Sequence, residues 1–262
     1  MKLKNILAEY EKIIPIELQE DWDNSGIQIG DLEKDISKIL IALDTDDDVL
    51  KYAKKYNYNL IINHHPLIFK PMKKIVSDNI IDNRIIYAIK NDISIYASHT
   101  NFDNYNYGTS YLLAKKLGIK DMNILSPLDN NAKYGTGIYG FIEEMSIEEF
   151  NLKLKEKLLL NNTIFYGDKD KKIKKIAVVG GSGASFIDDC LINNVDLFIT
   201  GDIKYHDADY AIDNKLNILD IGHYESEKLV MEKIREILKE VIKDENIKID
   251  VYYRKRKTRQ IL

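Results

Sequence analysis

Cysteine is almost missing from this chain, with Cys190 standing alone among 262 residues. One thiol excludes an internal disulfide, and it cannot by itself anchor a thiolate zinc site. Such usage fits a reducing compartment, so a cytoplasmic location is expected. No apolar run approaches the roughly 20 residues that a membrane helix needs. The opening MKLKNILAEYEKIIP carries charges throughout and reads as an amphipathic helix, not as a signal peptide with an unbroken apolar core. An excess of one charge is also absent. Against 42 Asp and Glu stand 38 Lys and Arg, a net charge of -4, which argues against a surface built to wrap nucleic acid. What is present, 45% hydrophobic and 31% charged residues, excludes wholesale disorder and suffices for one large α/β domain or two compact lobes.

Histidine is scarce too, and its placement is informative. The five are His64, His65, His99, His206 and His223. Each follows a short apolar run: NLIIN before His64 and His65, ISIYAS before His99, DLFIT a few residues before His206, and NILDIG before His223. Runs of this kind read as buried strands. The histidines therefore fall at carboxyl ends of strands, where sites gather in parallel α/β sheets.

Strand-like and helix-like stretches alternate along the chain. Strands are expected at 38–43, up to His64, up to Ser98, at 134–143 in a Gly-rich stretch, and at 175–179, 196–200 and 217–221. Helices are expected at 47–56, 79–90, 107–117, 147–160, 184–193, 208–214 and 225–243. Strand cores begin 20 residues apart at Ile41 and Ile61, and 22 apart at Ile176 and Phe198. This pattern predicts an α/β fold of two pseudo-repeated lobes, residues 1–125 and 171–262, joined by a connecting segment, 126–170.

Several motifs can carry chemistry. Adjacent His64 and His65 face opposite sides unless the strand turns, and Pro66 favours a turn there, so the pair can address two different ions. His99 and Asp103 share the next loop, where Asp103 is either a ligand or a cap or turn aspartate. His223 and Glu227 are four apart on one helical face, either metal-bound or a hydrogen-bonded cap pair. Three histidines and two carboxylates, without thiolates, suit Zn, Mn, Fe, Ni or Co, and five such donors exceed one tetrahedral site. Two ions bridged by a carboxylate, an arrangement that activates water in hydrolases, accommodate them. Softer signals are the turn-like Asp23-Asn24-Ser25-Gly26, the Gly180–Gly183 run after a strand, and Lys204, which either meets an anionic substrate or pairs with a neighbour. The basic ending YYRKRKTRQIL suits a solvated or subunit-docking strand better than a nucleic-acid contact.

In this order, DNSGIQIG (23–30), NHHPLIF (63–69), SHTNFD (98–103), GGSG (180–183), TGDIKYHDA (200–208) and GHYESE (222–227) resemble the NIF3-like (DUF34) family, often labelled GTP cyclohydrolase 1 type 2 homologues. The resemblance implies a NIF3-like fold with mixed sheets packed around a shared dinuclear metal site. Its ligands would be His64, His65, Asp103, His223 and a bridging Glu227, with two divalent ions per subunit. His99 and His206 would line the same cavity as candidate proton shuttles. A homohexamer is implied as well, and the length leaves no room for the extra domain that some members insert. The expected function is metal-dependent hydrolysis of a nucleotide or phosphorylated small molecule. The alternative is a non-enzymatic metal-binding adaptor. No membrane partner is expected.

Overall fold

The computed structural model describes residues 1–128, 133–243 and 246–254. In chain order, α1 (Leu3–Glu11), β1 (Gly26–Ile29), β2 (Lys38–Ala42), α2 (Asp47–Tyr56), β3 (Leu60–Asn63), α3 (Ile80–Lys90), β4 (Ser94–Ala97) and α4 (Thr100–Asp103) come first. The middle holds α5 (Thr109–Leu117), β5 (Lys120–Pro127), β6 (Gly135–Met145), α6 (Ile147–Leu158), β7 (Ile164–Tyr166), β8 (Ile173–Ser182), α7 (Ile187–Ile192), β9 (Leu197–Gly201), α8 (Tyr205–Asp213) and β10 (Asn217–Asp220). Last come α9 (His223–Glu227), α10 (Leu229–Val241) and β11 (Lys248–Val251). The chain divides into two units: residues 1–102 with 230–254, and residues 103–229.

The first unit is built on a five-stranded sheet, β1-β4-β3-β2-β11. The four strands from β4 to β11 run parallel, and β1 closes one edge antiparallel to β4. Every residue of β3 and β4 is buried, as continuous apolar runs in a covered parallel sheet should be. Leu40, Ile61 and Ile95 pack with Leu50 and Ala53 of α2 and with Ile85 and Ala88 of α3. Asp46 caps α2 by accepting from the N–H groups of Asp48 and Val49, and Asn57 ends it in the left-handed region. Along α10, Val230, Met231, Ile234, Ile237 and Leu238 are buried at helical spacing.

The second unit holds a six-stranded sheet, β5-β6-β8-β9-β10-β7, in which β8, β9 and β10 are parallel and the others antiparallel. Alternation along β8 sends Ile176 and Val178 to one face, packed with α5 and α6, while Ala177 and Val179 face α7 and α8. Both faces of the sheet are therefore covered by helices.

Three sequence-based expectations change here. Residues 126–170 are not a connector: β6, α6 and β7 lie within them and complete the second unit's sheet. β6 is the Gly-rich strand expected at 134–143, and Gly135 is required there, since a Cβ would meet Ser126 O at 2.3 Å. The expected helix 225–243 is two helices, α9 and α10, interrupted at Lys228. The Gly180–Gly183 run is mostly strand, because β8 continues to Ser182. Residues 255–262 of the basic ending lie outside the described residues. Among the described residues, no helix is long and apolar enough to cross a membrane.

Candidate metal centre

In the first unit, β3 and β4 are in parallel register, with Asn63 opposite Ala97. Residues just beyond the two strand ends are thereby brought together, and these are His64, His65 and His99. One ring nitrogen from each lies within 4.8 Å of the others. His64 is fully buried, and its Nδ1 donates to the Ser98 carbonyl at 2.7 Å. His65 Nδ1 lies 2.9 Å from Asp44 Oδ1. Asp44 stands two residues past β2, which pairs with β3 by Ala42 opposite Asn63, so strand register delivers it to His65. Arg254 Nη1 donates to the other oxygen of Asp44 at 3.3 Å.

His99 Nδ1 lies 2.8 Å from Asp23 Oδ1. The second oxygen of Asp23 accepts from Thr100 N at 3.1 Å, Thr100 Oγ1 at 2.6 Å and Ser25 Oγ at 2.7 Å. Burial alone would push the Asp23 carboxyl up. The hydrogen bond and charge of His99, with the two hydroxyls, outweigh it and hold the group well below the ordinary carboxylate range. The DNSG run is thus more than a turn: its aspartate orients a histidine.

In the second unit, Gly222, at φ 87°, turns the chain into α9. His223 Nδ1 lies 2.8 Å from Asp202 Oδ2, and its Nε2 lies 3.0 Å from Glu227 Oε2 one helical turn on. Glu227 is only 3% exposed, which is costly for a carboxylate unless it is paired or ligates. Gly181 and Gly201 make this packing possible. A Cβ on Gly181 would sit 2.3 Å from Glu227 Oε1, and one on Gly201 would sit 2.7 Å from His223 N. The Gly181 N–H donates to Ser226 Oγ, which donates to the His223 carbonyl. Asp103 accepts a short hydrogen bond from Thr109 Oγ1.

A matching family model, Duf34/NIF3 (NGG1p interacting factor 3), spans residues 1–259. The chain belongs to the Duf34/NIF3 family. A GTP cyclohydrolase 1 type 2 homolog from Clostridium perfringens is 41% identical over 242 residues, covering 92% of each chain. A Bacillus cereus protein related to NIF3 superposes with a TM-score of 0.93 at 25% identity, over 100% of this chain and 99% of that one. A Staphylococcus aureus hypothetical protein gives 0.88 at 30% identity with the same coverage. The α/β architecture with two mixed sheets is therefore the NIF3 fold.

Within this NIF3 chain, the remaining expected residues are less central. His206 lies in the exposed first turn of α8 and joins no donor group among the described residues. Lys204 is exposed just before that helix. In the Gly180–Gly183 run, Gly181 is the residue that leaves room for the Glu227 carboxylate. Sequence alone missed Asp23, Asp44 and Asp202, the three carboxylates that hold histidine rings.

Proposed function

We propose that this NIF3-family protein binds two divalent metal ions per chain and hydrolyses a nucleotide or similar phosphorylated small molecule. One observation carries the proposal. Four of the five histidines, His64, His65, His99 and His223, have Nδ1 against an oxygen acceptor, a backbone carbonyl or a carboxylate. A ring whose Nδ1–H is so held presents Nε2 with its lone pair, the arrangement typical of metal-ligating histidines. The ligand set would be His64, His65, Asp103, His223 and Glu227. Its imidazole and carboxylate donors fit Zn, Mn, Fe, Ni or Co.

When bound, the ions supply Lewis acidity for activating water. The chain's own residues do the rest. Asp44 and Asp202 fix the His65 and His223 rings, and the Ser98 carbonyl fixes His64. His99, braced by Asp23, is placed to accept and return a proton at Nε2, a role that exposed His206 does not share. The relatives' naming as GTP cyclohydrolase 1 type 2 homologs supports a nucleotide substrate. A homohexamer in the cytoplasm completes the proposal.

Elemental analysis of purified protein, paired with a screen of nucleotides and phosphoesters, tests it. The expected result is close to two ions per chain and turnover that a chelator abolishes. No metal uptake after reconstitution with Zn, Mn, Fe and Ni refutes the metal centre. A metal-replete protein with no turnover refutes the hydrolase and favours the adaptor.

A further inference from the structure

The single tryptophan of the chain lies on the surface beside the histidines of the first unit. Trp22 is 61% exposed and Phe69 47%. Their ring centroids are 6.0 Å apart at 62°. Each also meets His99 edge to face, Trp22 at 6.1 Å and Phe69 at 6.3 Å. Trp22 and Phe69 are thus open to solvent on either side of a His99 ring that is itself mostly covered.

Neither aromatic is loosely held. Trp22 precedes Asp23, whose buried carboxylate grips His99, Thr100 and Ser25. Phe69 follows Ile68, whose carbonyl accepts from Asn24 Nδ2 at 2.6 Å and whose N–H donates to Gln28 Oε1 at 3.0 Å. Gln28 Nε2 donates back to the Asn24 carbonyl at 2.7 Å. Residues 23–28 therefore clip the Trp22 loop to the Phe69 loop. Rigid exposed aromatics of this kind are preorganised for contact, because little freedom is lost when a partner arrives. Next to Phe69, the exposed residues 70–78 carry Lys70, Lys73 and Lys74 against Asp78, and exposed Asp21 precedes Trp22, so positive charge prevails among these flanking residues. Positive charge beside open π-faces suits an anion that carries a planar ring, and it disfavours a purely apolar partner.

We propose that Trp22 and Phe69 form a stacking platform that selects ligands bearing a planar heteroaromatic ring, such as a nucleobase, for the histidine centre. This rests on the hydrolase proposal and names its specificity residues. The rings supply affinity for the planar group, and the lysines supply it for phosphate.

Trp22 is the only tryptophan among 262 residues, so its emission reports from this one place. AMP and GMP are titrated into the full-length, metal-loaded protein, with ribose 5-phosphate as the ringless comparison. Saturable change in Trp22 emission with AMP or GMP is expected, and ribose 5-phosphate should bind at least about tenfold more weakly by calorimetry. Trp22→Leu and Phe69→Leu should each weaken nucleotide binding roughly 10- to 100-fold, the loss typical of one base–aromatic stack. Metal content should be unchanged in both, since neither side chain is a donor. Equal affinities for wild type and variants, or for ringed and ringless phosphates, overturn the platform and leave metal binding standing. Emission that follows protein concentration instead of ligand marks a protein contact and also overturns it. The titration is repeated on chelator-treated protein. Nucleotide binding that persists there, in a chain that never takes up metal, supports the platform and places the failure in the metal reading alone.

Discussion

Gly181→Ala is the sharpest perturbation of the centre that involves none of its ligands. Gly181 has φ 69°, and alanine in that left-handed region costs about 1–2 kcal/mol. Its new Cβ would also lie 2.3 Å from Glu227 Oε1. Carbon and oxygen settle at about 3.3–3.6 Å, so the carboxylate must retreat by about 1 Å. Glu227 is 3% exposed and 3.0 Å from His223, and such a retreat parts the two. Metal ligation tolerates only about ±0.2 Å. Gly137→Ala is the matched control. Gly137 has φ 78°, and the three atoms nearest its Cβ are apolar, Val179 Cγ2 at 2.9 Å and Leu125 Cβ and Cδ2 at 3.0 and 3.1 Å. Both variants should lose about 1–3 kcal/mol, lowering Tm by about 2–4 °C per kcal/mol. Only Gly181→Ala should lose metal, with affinity falling at least about tenfold. Thermal denaturation and elemental analysis after dialysis against a metal buffer read the two effects separately. Wild-type metal content in Gly181→Ala, or equal metal loss in both variants, refutes the placement of Glu227 as a ligand.

Four further outcomes are expected. Glu227→Gln should strip at least one ion per chain, whereas Glu225→Gln, which breaks only a pairing with Lys228, should keep the wild-type content; equal losses by elemental analysis count against the ligand set. Asp44→Ala removes the brace on His65 Nδ1 and should weaken metal binding about 10- to 100-fold in competition with a chelating dye, and an unchanged affinity contradicts the bracing role. Cys190 is fully buried, and burial pushes its thiol up, so the native protein should resist a thiol reagent that labels one site per chain in guanidinium. Rapid labelling of the native protein would show that the core around α7 opens. Light scattering should give a hexamer, and a 30.4 kDa particle at micromolar concentration excludes it.

Where local chemistry dictates an element, the sequence displays it. The bounds of α2 match expectation because Asp46 caps one end and Asn57 turns left-handed at the other. The runs LIIN and SIYA read as buried strands because they are short, mostly apolar and rich in isoleucine, and Asn63 is buried with its Nδ2 donating to Thr45 Oγ1. Edge strands are harder to see. Only Leu125 of β5 is buried and its sequence, KDMNILSP, lacks a sustained apolar pattern, while β7 has three residues. The break at Lys228 carries neither glycine nor proline, and an apolar stripe runs on past it, so nothing in the string separates α9 from α10. The glycines of β8 were visible, but their purpose depends on Glu227, some 46 residues away.

The histidines were legible because they are rare and end strands; their carboxylate partners were hidden among 42 acidic residues. Two of those partners obey a rule that parallel strands impose. In parallel pairing, residues at similar overhang beyond adjacent strand ends are neighbours, whatever separates them along the chain. Ala42 faces Asn63, so Asp44 meets His65, and Thr200 faces Asp220, so Asp202 comes within reach of His223. Both Asp–His pairs are 21 residues apart. Each unit thus holds its histidine by the same device: a βαβ crossover of nearly fixed length that carries an aspartate on one strand end and a histidine on the next. A spacing that recurs because the crossover length recurs is a signal that the sequence does contain. Asp23 follows no such rule. It reaches His99 from 76 residues away, through β1 pairing antiparallel to β4, and only the folded sheet brings those two together.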